Sequence, residues 1–135
     1  MNVRSHCPIN FTLEHLGDKW SLLIIRDLMF KEKRHYNEFL EAGEKVSTSV
    51  LSDRLKRLEE TGIISKSADE VKKSRIRYSL TQKGIDLLPI LIEMIVWGGL
   101  NDNLTEAPDE YIEAAVKNRE SLIEKSRKHL IREHL

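Results

Sequence analysis

Residues 47–62 read STSVLSDRLKRLEETG. At 100° per residue Leu51, Leu55 and Leu58 share one stripe, Ser49, Asp53, Lys56 and Glu60 lie opposite, and Ser52 and Arg57 flank them. The pattern predicts an amphipathic helix from Ser47 to Thr61, with Ser47 as N-cap and Gly62 supplying the left-handed residue that ends it. Small hydroxyl side chains at Ser47, Thr48, Ser49 and Ser52, with Asp53, Lys56 and Arg57 following within two turns, suit a helix that enters a DNA major groove end-first. Base edges take short donors and acceptors, and phosphates take cations.

Upstream, Tyr36, Phe39 and Leu40 are spaced for a short helix over residues 35–40, and Ala42 to Lys45 form a glycine-containing turn into the helix above. Two short helices so joined make a helix-turn-helix. Before them, a helix is expected from about Asn10 to Phe30, with Phe11, Leu16, Trp20, Leu23, Ile24 and Leu28 on its apolar face and Gly17 as a point of interruption. Trp20 is expected as a buried anchor of that bundle.

Downstream the period changes from helical to alternating. Ile64, Lys66 and Ala68 alternate with Ser65 and Ser67, and Ile76, Tyr78 and Leu80 with Arg75, Arg77 and Ser79, so two strands are expected as a hairpin whose tip carries Lys72 and Lys73. Following a helix-turn-helix, this is a wing, and Lys72, Lys73 and Arg75 are candidates for phosphate contacts. Thr81 caps a predicted helix to about Leu100, with a kink or break at Pro89 and an end at Gly98-Gly99. After a polar link, Pro108 opens a final amphipathic helix bearing Tyr111, Ile112, Ala115, Val116, Leu122, Ile123 and Leu130. Such a helix either folds back on its own core or packs on a second subunit. The expected fold is mainly α with one β-hairpin, a single winged helix-turn-helix domain across the 135 residues.

The chain has no net charge, but residues 1–83 carry 16 Lys and Arg against 12 Asp and Glu, and residues 84–135 carry 6 against 10. The basic half thus holds the candidate reading head, which permits a local nucleic-acid patch. The single cysteine, Cys7, excludes an intramolecular disulfide and fits a reducing compartment. No run approaches 18 apolar residues and the N-terminus lacks the apolar centre of a signal peptide, so no membrane span is expected and the cytoplasm is the expected location. The five histidines show no metal-ligand spacing, and neither a phosphate loop nor a nucleophile elbow is present. No catalytic residue, metal or cofactor is expected.

Cys7-Pro8, Gly17-Asp18-Lys19-Trp20, the run from Leu51 to Gly62-Ile63-Ile64, Tyr78-Ser79-Leu80-Thr81 with Gly84, and Trp97-Gly98 together resemble the HxlR family of bacterial winged-helix transcriptional regulators over roughly residues 5–100. The resemblance implies a dimeric, sequence-specific regulator of double-stranded DNA, its recognition helix at Ser47–Thr61 in the major groove and the hairpin as wing. It also implies a candidate effector site, because some relatives sense electrophiles or oxidants through an N-terminal cysteine that matches Cys7. The family's wing usually carries prolines, where this chain has Lys72-Lys73-Ser74. The homodimer is expected to use the first helix and the segments after Thr81, since Phe11, Leu16, Ile92, Ile95 and Trp97 exceed what one small core covers. The other reading of a winged helix is a protein-association module without specific DNA binding.

Overall fold

A computed structural model describes residues 3–135. Eight helices and one hairpin follow in order: α1 (Pro8–Leu16), α2 (Ser21–Phe30), α3 (Tyr36–Leu40), α4 (Thr48–Glu60), β1 (Ile64–Ala68), β2 (Ile76–Leu80), α5 (Gln82–Ile85), α6 (Leu88–Asn101), α7 (Asp109–Lys117) and α8 (Arg119–His134). Leu51, Leu55 and Leu58 of α4 are buried against Ile24, Ile25 and Leu28 of α2, Phe39 of α3, and Ile63, Ile64 and Leu80 at the hairpin's base. This core holds the helix-turn-helix and the wing as one body. The strands pair antiparallel from Ile64↔Leu80 at the buried end to Ala68↔Ile76 at the exposed end. The mainly α winged helix-turn-helix expected from the sequence is the fold found.

The expected helix from Asn10 to Phe30 is two helices. A Cβ on Gly17 would lie 2.4 Å from the Leu13 carbonyl oxygen, so glycine permits the tight end of α1. Asp18 then caps α2 by accepting from the amides of Trp20 (2.9 Å) and Ser21 (3.0 Å), two donors that a helix start leaves open. Trp20 accordingly stands at the N-cap of α2, half-buried, rather than buried in a continuous stripe.

The helix after Thr81 also divides. Thr81 caps the short α5 through its hydroxyl, and the chain turns at Asp86–Leu87, ahead of Pro89, which occupies the first turn of α6 where no N–H is required. Gly98 and Gly99 do not end α6, which runs to Asn101. Gly99 serves packing instead: a Cβ there would lie 2.4 Å from Ile112 Cδ1 on α7. Gln82–Asn101 is long and apolar enough to cross a membrane by length and composition, with mean hydropathy 1.4, although Lys83, Asp86 and Glu93 interrupt it and no unbroken apolar run approaches 18 residues, as expected. Of its apolar side chains, Ile85, Leu88, Leu91 and Ile92 lie in the core.

The final helix breaks at Asn118 into α7 and α8, with Pro108 as N-cap rather than first residue of α7. The pair folds back on its own chain, burying Ile112, Ala115 and Leu130. The last turn of α8 reaches the wing: the Leu80 amide donates to His134 Nδ1 (2.9 Å), while the Tyr78 amide donates to the Arg34 carbonyl (2.7 Å).

Candidate nucleic-acid interface

The reading head is built on the open face of α4. Ser47 takes the extended N-cap conformation, and its Oγ accepts from the Val50 amide at 3.3 Å. Thr48, Ser49, Ser52, Asp53 and Lys56 are exposed on the face away from the core, and Gly62 ends the element at φ 78°. In the preceding turn the left-handed residue is Lys45, at φ 59°, and not the glycine. Arg26 grips that turn with two bonds to the Glu44 carboxylate, at 2.7 and 3.0 Å, and these hold Glu44 down to about 2 against the pull of burial. The turn is thereby tied to α2.

Side-chain partners on α4 refine the sequence assignment. Ser52 shares a 3.2 Å bond with the Tyr36 hydroxyl, which also donates to the Thr48 carbonyl. Asp53 is paired with Arg54, and Lys56 lies 3.9 Å from Glu60 one turn on. Arg57 is half-buried on the α1 side of the helix, beside His15 and Thr61, whereas Lys56 borders the hairpin. The two cations therefore flank α4 on opposite sides. Between α4 and the hairpin runs a cleft lined by Tyr36, Ser52, Lys56, Glu59, Lys66 and Tyr78.

At the wing tip Lys72 and Lys73 are exposed and, among the described residues, form no ion pair. Arg75 is exposed but spends one guanidinium nitrogen on Asp69, at 3.3 Å. Asp69 organises the turn that prolines would otherwise shape. Its Oδ2 accepts from the amides of Val71 (3.2 Å) and Lys72 (2.9 Å), and its own amide donates to the Arg75 carbonyl (2.8 Å). The Lys72 amide above all, then His35, holds its carboxyl well below the usual carboxylate range.

The sequence assigned no part in the site to Arg54, Asp18, His35 or Asp69, and Tyr36 only a place on a helix. The bonds Tyr36–Ser52, Arg54–Asp18 and His35–Asp69 join residues 16 to 36 positions apart, so periodicity carries no trace of them. The local bonds of Asp18 to Ser21 and of Asp69 to Lys72 have the three-residue spacing of a cap or turn, which is the legible sign.

Cys7 is the exposed N-cap residue of α1, with Pro8 in the first turn. The backbone amides of Asn10 and Ile9 lower its thiol below the ordinary value. Arg4, close in sequence, is bonded to Glu14 at 2.9 Å.

A buried-base hairpin directly after an exposed, capped second helix defines a winged helix-turn-helix DNA-binding domain. The HxlR-like helix-turn-helix family matches residues 15–106, and the chain belongs to that family. It is 40% identical to the HTH-type transcriptional regulator sll1512 of Synechocystis over 88 residues, which are 65% of this chain and 64% of that protein's length. Its fold is similar to the redox regulator HypR in its oxidised form, at TM-score 0.64 and 31% identity over 73% of this chain and all of that one. It is also similar to reduced YodB, a transcriptional regulator of Bacillus subtilis, at TM-score 0.58 and 28% identity over 76% of this chain and all of that one. The chain is a transcriptional regulator with a helix-turn-helix DNA-binding domain.

Proposed function

We propose that the chain acts in the cytoplasm as a homodimer that binds a near-palindromic operator in double-stranded DNA, each α4 entering a major groove and each wing resting on flanking phosphates. The observation that supports this reading is the pairing of two unlike surfaces next to one cleft. The start of α4 bears exposed short hydroxyls at Thr48, Ser49 and Ser52, and the hairpin that lines the far side of the cleft with Lys66 and Tyr78 ends in a tip with Lys72 and Lys73 exposed. Such a pair divides the labour of base reading and phosphate anchoring.

Support for the dimer comes from apolar side chains left open on α1 and α6. Ile9, Phe11, Leu13, Met94, Trp97 and Leu100 are all exposed, Trp97 by 72%. Leu16 and Ile92, expected with them, are instead covered by the chain's own core. A two-fold contact through these helices would space the α4 pair about one helical turn apart on DNA. In this reading Cys7, at the head of α1, is the sensor through which an oxidant or electrophile changes that spacing. The redox character of HypR supports the sensor assignment.

The test is a gel shift on genomic fragments with heparin as competitor, joined to sedimentation at micromolar concentration. A retarded band that survives heparin and a dimer mass are expected. Loss of every band to heparin would leave the protein-association module, and a monomer would remove the two-groove geometry.

A further inference from the structure

His35, which immediately precedes α3, lies between two carboxylates. Its Nδ1 is 2.5 Å from Glu38 Oε1 and its Nε2 is 2.7 Å from Asp69 Oδ1. The His35 side chain is 15% exposed and that of Asp69 7%. Carboxylate oxygens accept, so both contacts are hydrogen bonds only when both ring nitrogens carry a proton; a neutral ring would turn a lone pair on one of them. Asp69 is also the residue around which the wing tip folds, through the Val71 and Lys72 amides and Arg75. Thus one imidazole joins the helix-turn-helix to the hub of the wing, 34 residues away.

We propose that His35 is a positioning residue that fixes the wing tip against the helix-turn-helix by donating from both ring nitrogens, so that DNA affinity depends on a side chain at this place that donates to Glu38 and Asp69 together. The proposal rests on the reading of the wing as a DNA contact. The charged groups around the ring are Glu38 on α3, Asp69 after β1, Arg75 in the hairpin turn, and Arg34 before α3. The Arg34 amide donates to Glu38 Oε1 at 3.2 Å, while its guanidinium is turned to the Tyr78 carbonyl (2.7 Å) and Ser79 Oγ (2.6 Å). Burial raises the Glu38 carboxyl, but the bonds from His35 and the Arg34 amide outweigh it and the net shift is downward. Both carboxyls are held low, so each faces the ring as an acceptor. Where one of them is left without its donor the bridge opens, and the tip bearing Val71, 94% exposed, with Lys72 and Lys73 is no longer held at one distance from α4.

His35→Arg keeps several donors on one side chain, whereas His35→Gln keeps one donating group and His35→Phe none. Affinity is measured by fluorescence anisotropy at constant pH and ionic strength, on the duplex that the wild-type chain selects from a random-sequence pool. His35→Gln and His35→Phe should weaken binding about three- to tenfold, while His35→Arg restores it to within about twofold of the wild type. In the free protein, protection of the Val71 and Lys72 amides, corrected for intrinsic exchange, should fall in the two weakened variants alone. Equal affinity in all four proteins, failure of His35→Arg to rescue, or unchanged amide protection would overturn the proposal. If no duplex is selected, the DNA reading fails, and amide protection still decides the role of His35.

Discussion

Arg54 Nε on the recognition helix lies 2.8 Å from Asp18 Oδ2 at the junction of α1 and α2. The same carboxylate caps α2 and takes a 2.6 Å bond from Ser21 Oγ. Burial raises the Asp18 carboxyl, but its bonds to Ser21, Arg54 and the two amides prevail and bring it to about 2. Asp18→Ala should therefore cost about 2 kcal/mol in urea unfolding, mostly from the lost cap. In a double-mutant cycle with Arg54→Ala, a coupling of about 0.5 to 1 kcal/mol is expected. Because the folded-state value is depressed, this contribution is complete above pH 4 or so and disappears as the pH falls toward 2. No coupling at neutral pH would mean that α4 is held without this pair.

Wing and helix should fail differently on DNA. Lys72→Ala with Lys73→Ala should weaken binding to every sequence and flatten the slope of log affinity against log salt by about one unit per lost phosphate contact. Ser49→Ala should cost about 1 to 3 kcal/mol, mainly on the preferred site. Ser52 is a poorer probe, since its hydroxyl is shared with Tyr36. An altered site preference with an unchanged salt slope in the lysine variant would reverse the two roles.

Cys7 is exposed, and its thiol is lowered by the amides of Asn10 and Ile9. Treatment with diamide or a quinone should change the DNA affinity of the wild type and leave Cys7→Ser unaffected. Equal affinity before and after treatment, with Cys7 unmodified by mass, would reduce the residue to its place at the helix start. A disulfide, if formed, must join two subunits or a small thiol, because the chain has one cysteine.

His134 predicts a loss of stability on the acid side. Burial, then the Arg34 guanidinium, pushes its ring down to about 4, so the neutral Nδ1 accepts from Leu80. An unfolded imidazole takes up its proton near pH 6.5, before the folded one does. Stability should be full above that value and decline as the pH falls toward 4. Urea midpoints measured from pH 7 down to about pH 4.5 should fall less steeply in His134→Phe than in the wild type. Identical slopes would place the acid loss elsewhere.

The parts of this fold legible in the sequence are those written in periodicity. Leu51, Leu55 and Leu58 announced α4, and alternation over residues 64–68 and 76–80 announced the hairpin. Breaks were harder to place, because they depend on what the backbone meets in space. Gly99 carries the signature of a helix end, yet it is retained because Ile112 of α7 passes over it. The cations at Lys72 and Lys73 stand open as expected, whereas Arg57 is turned toward α1, a distinction that depends on the tilt of α4 in the domain and not on its helical wheel. His35 and Asp69 are ordinary surface residues until the hairpin folds back on α3.

A two-stranded sheet presents open edges to any passing strand, and the usual defences are charge, shortness or a cover. On β2 the Tyr78 amide is taken by the Arg34 carbonyl and the Leu80 amide by His134 Nδ1. The second of these covers comes from the last turn of α8, beyond the stretch that matches the family. Cutting the chain after residue 106 should uncover the Leu80 amide on that edge and leave it open to a strand of another molecule. Solubility of the shortened chain then measures how far the C-terminal helices guard the hairpin against such pairing.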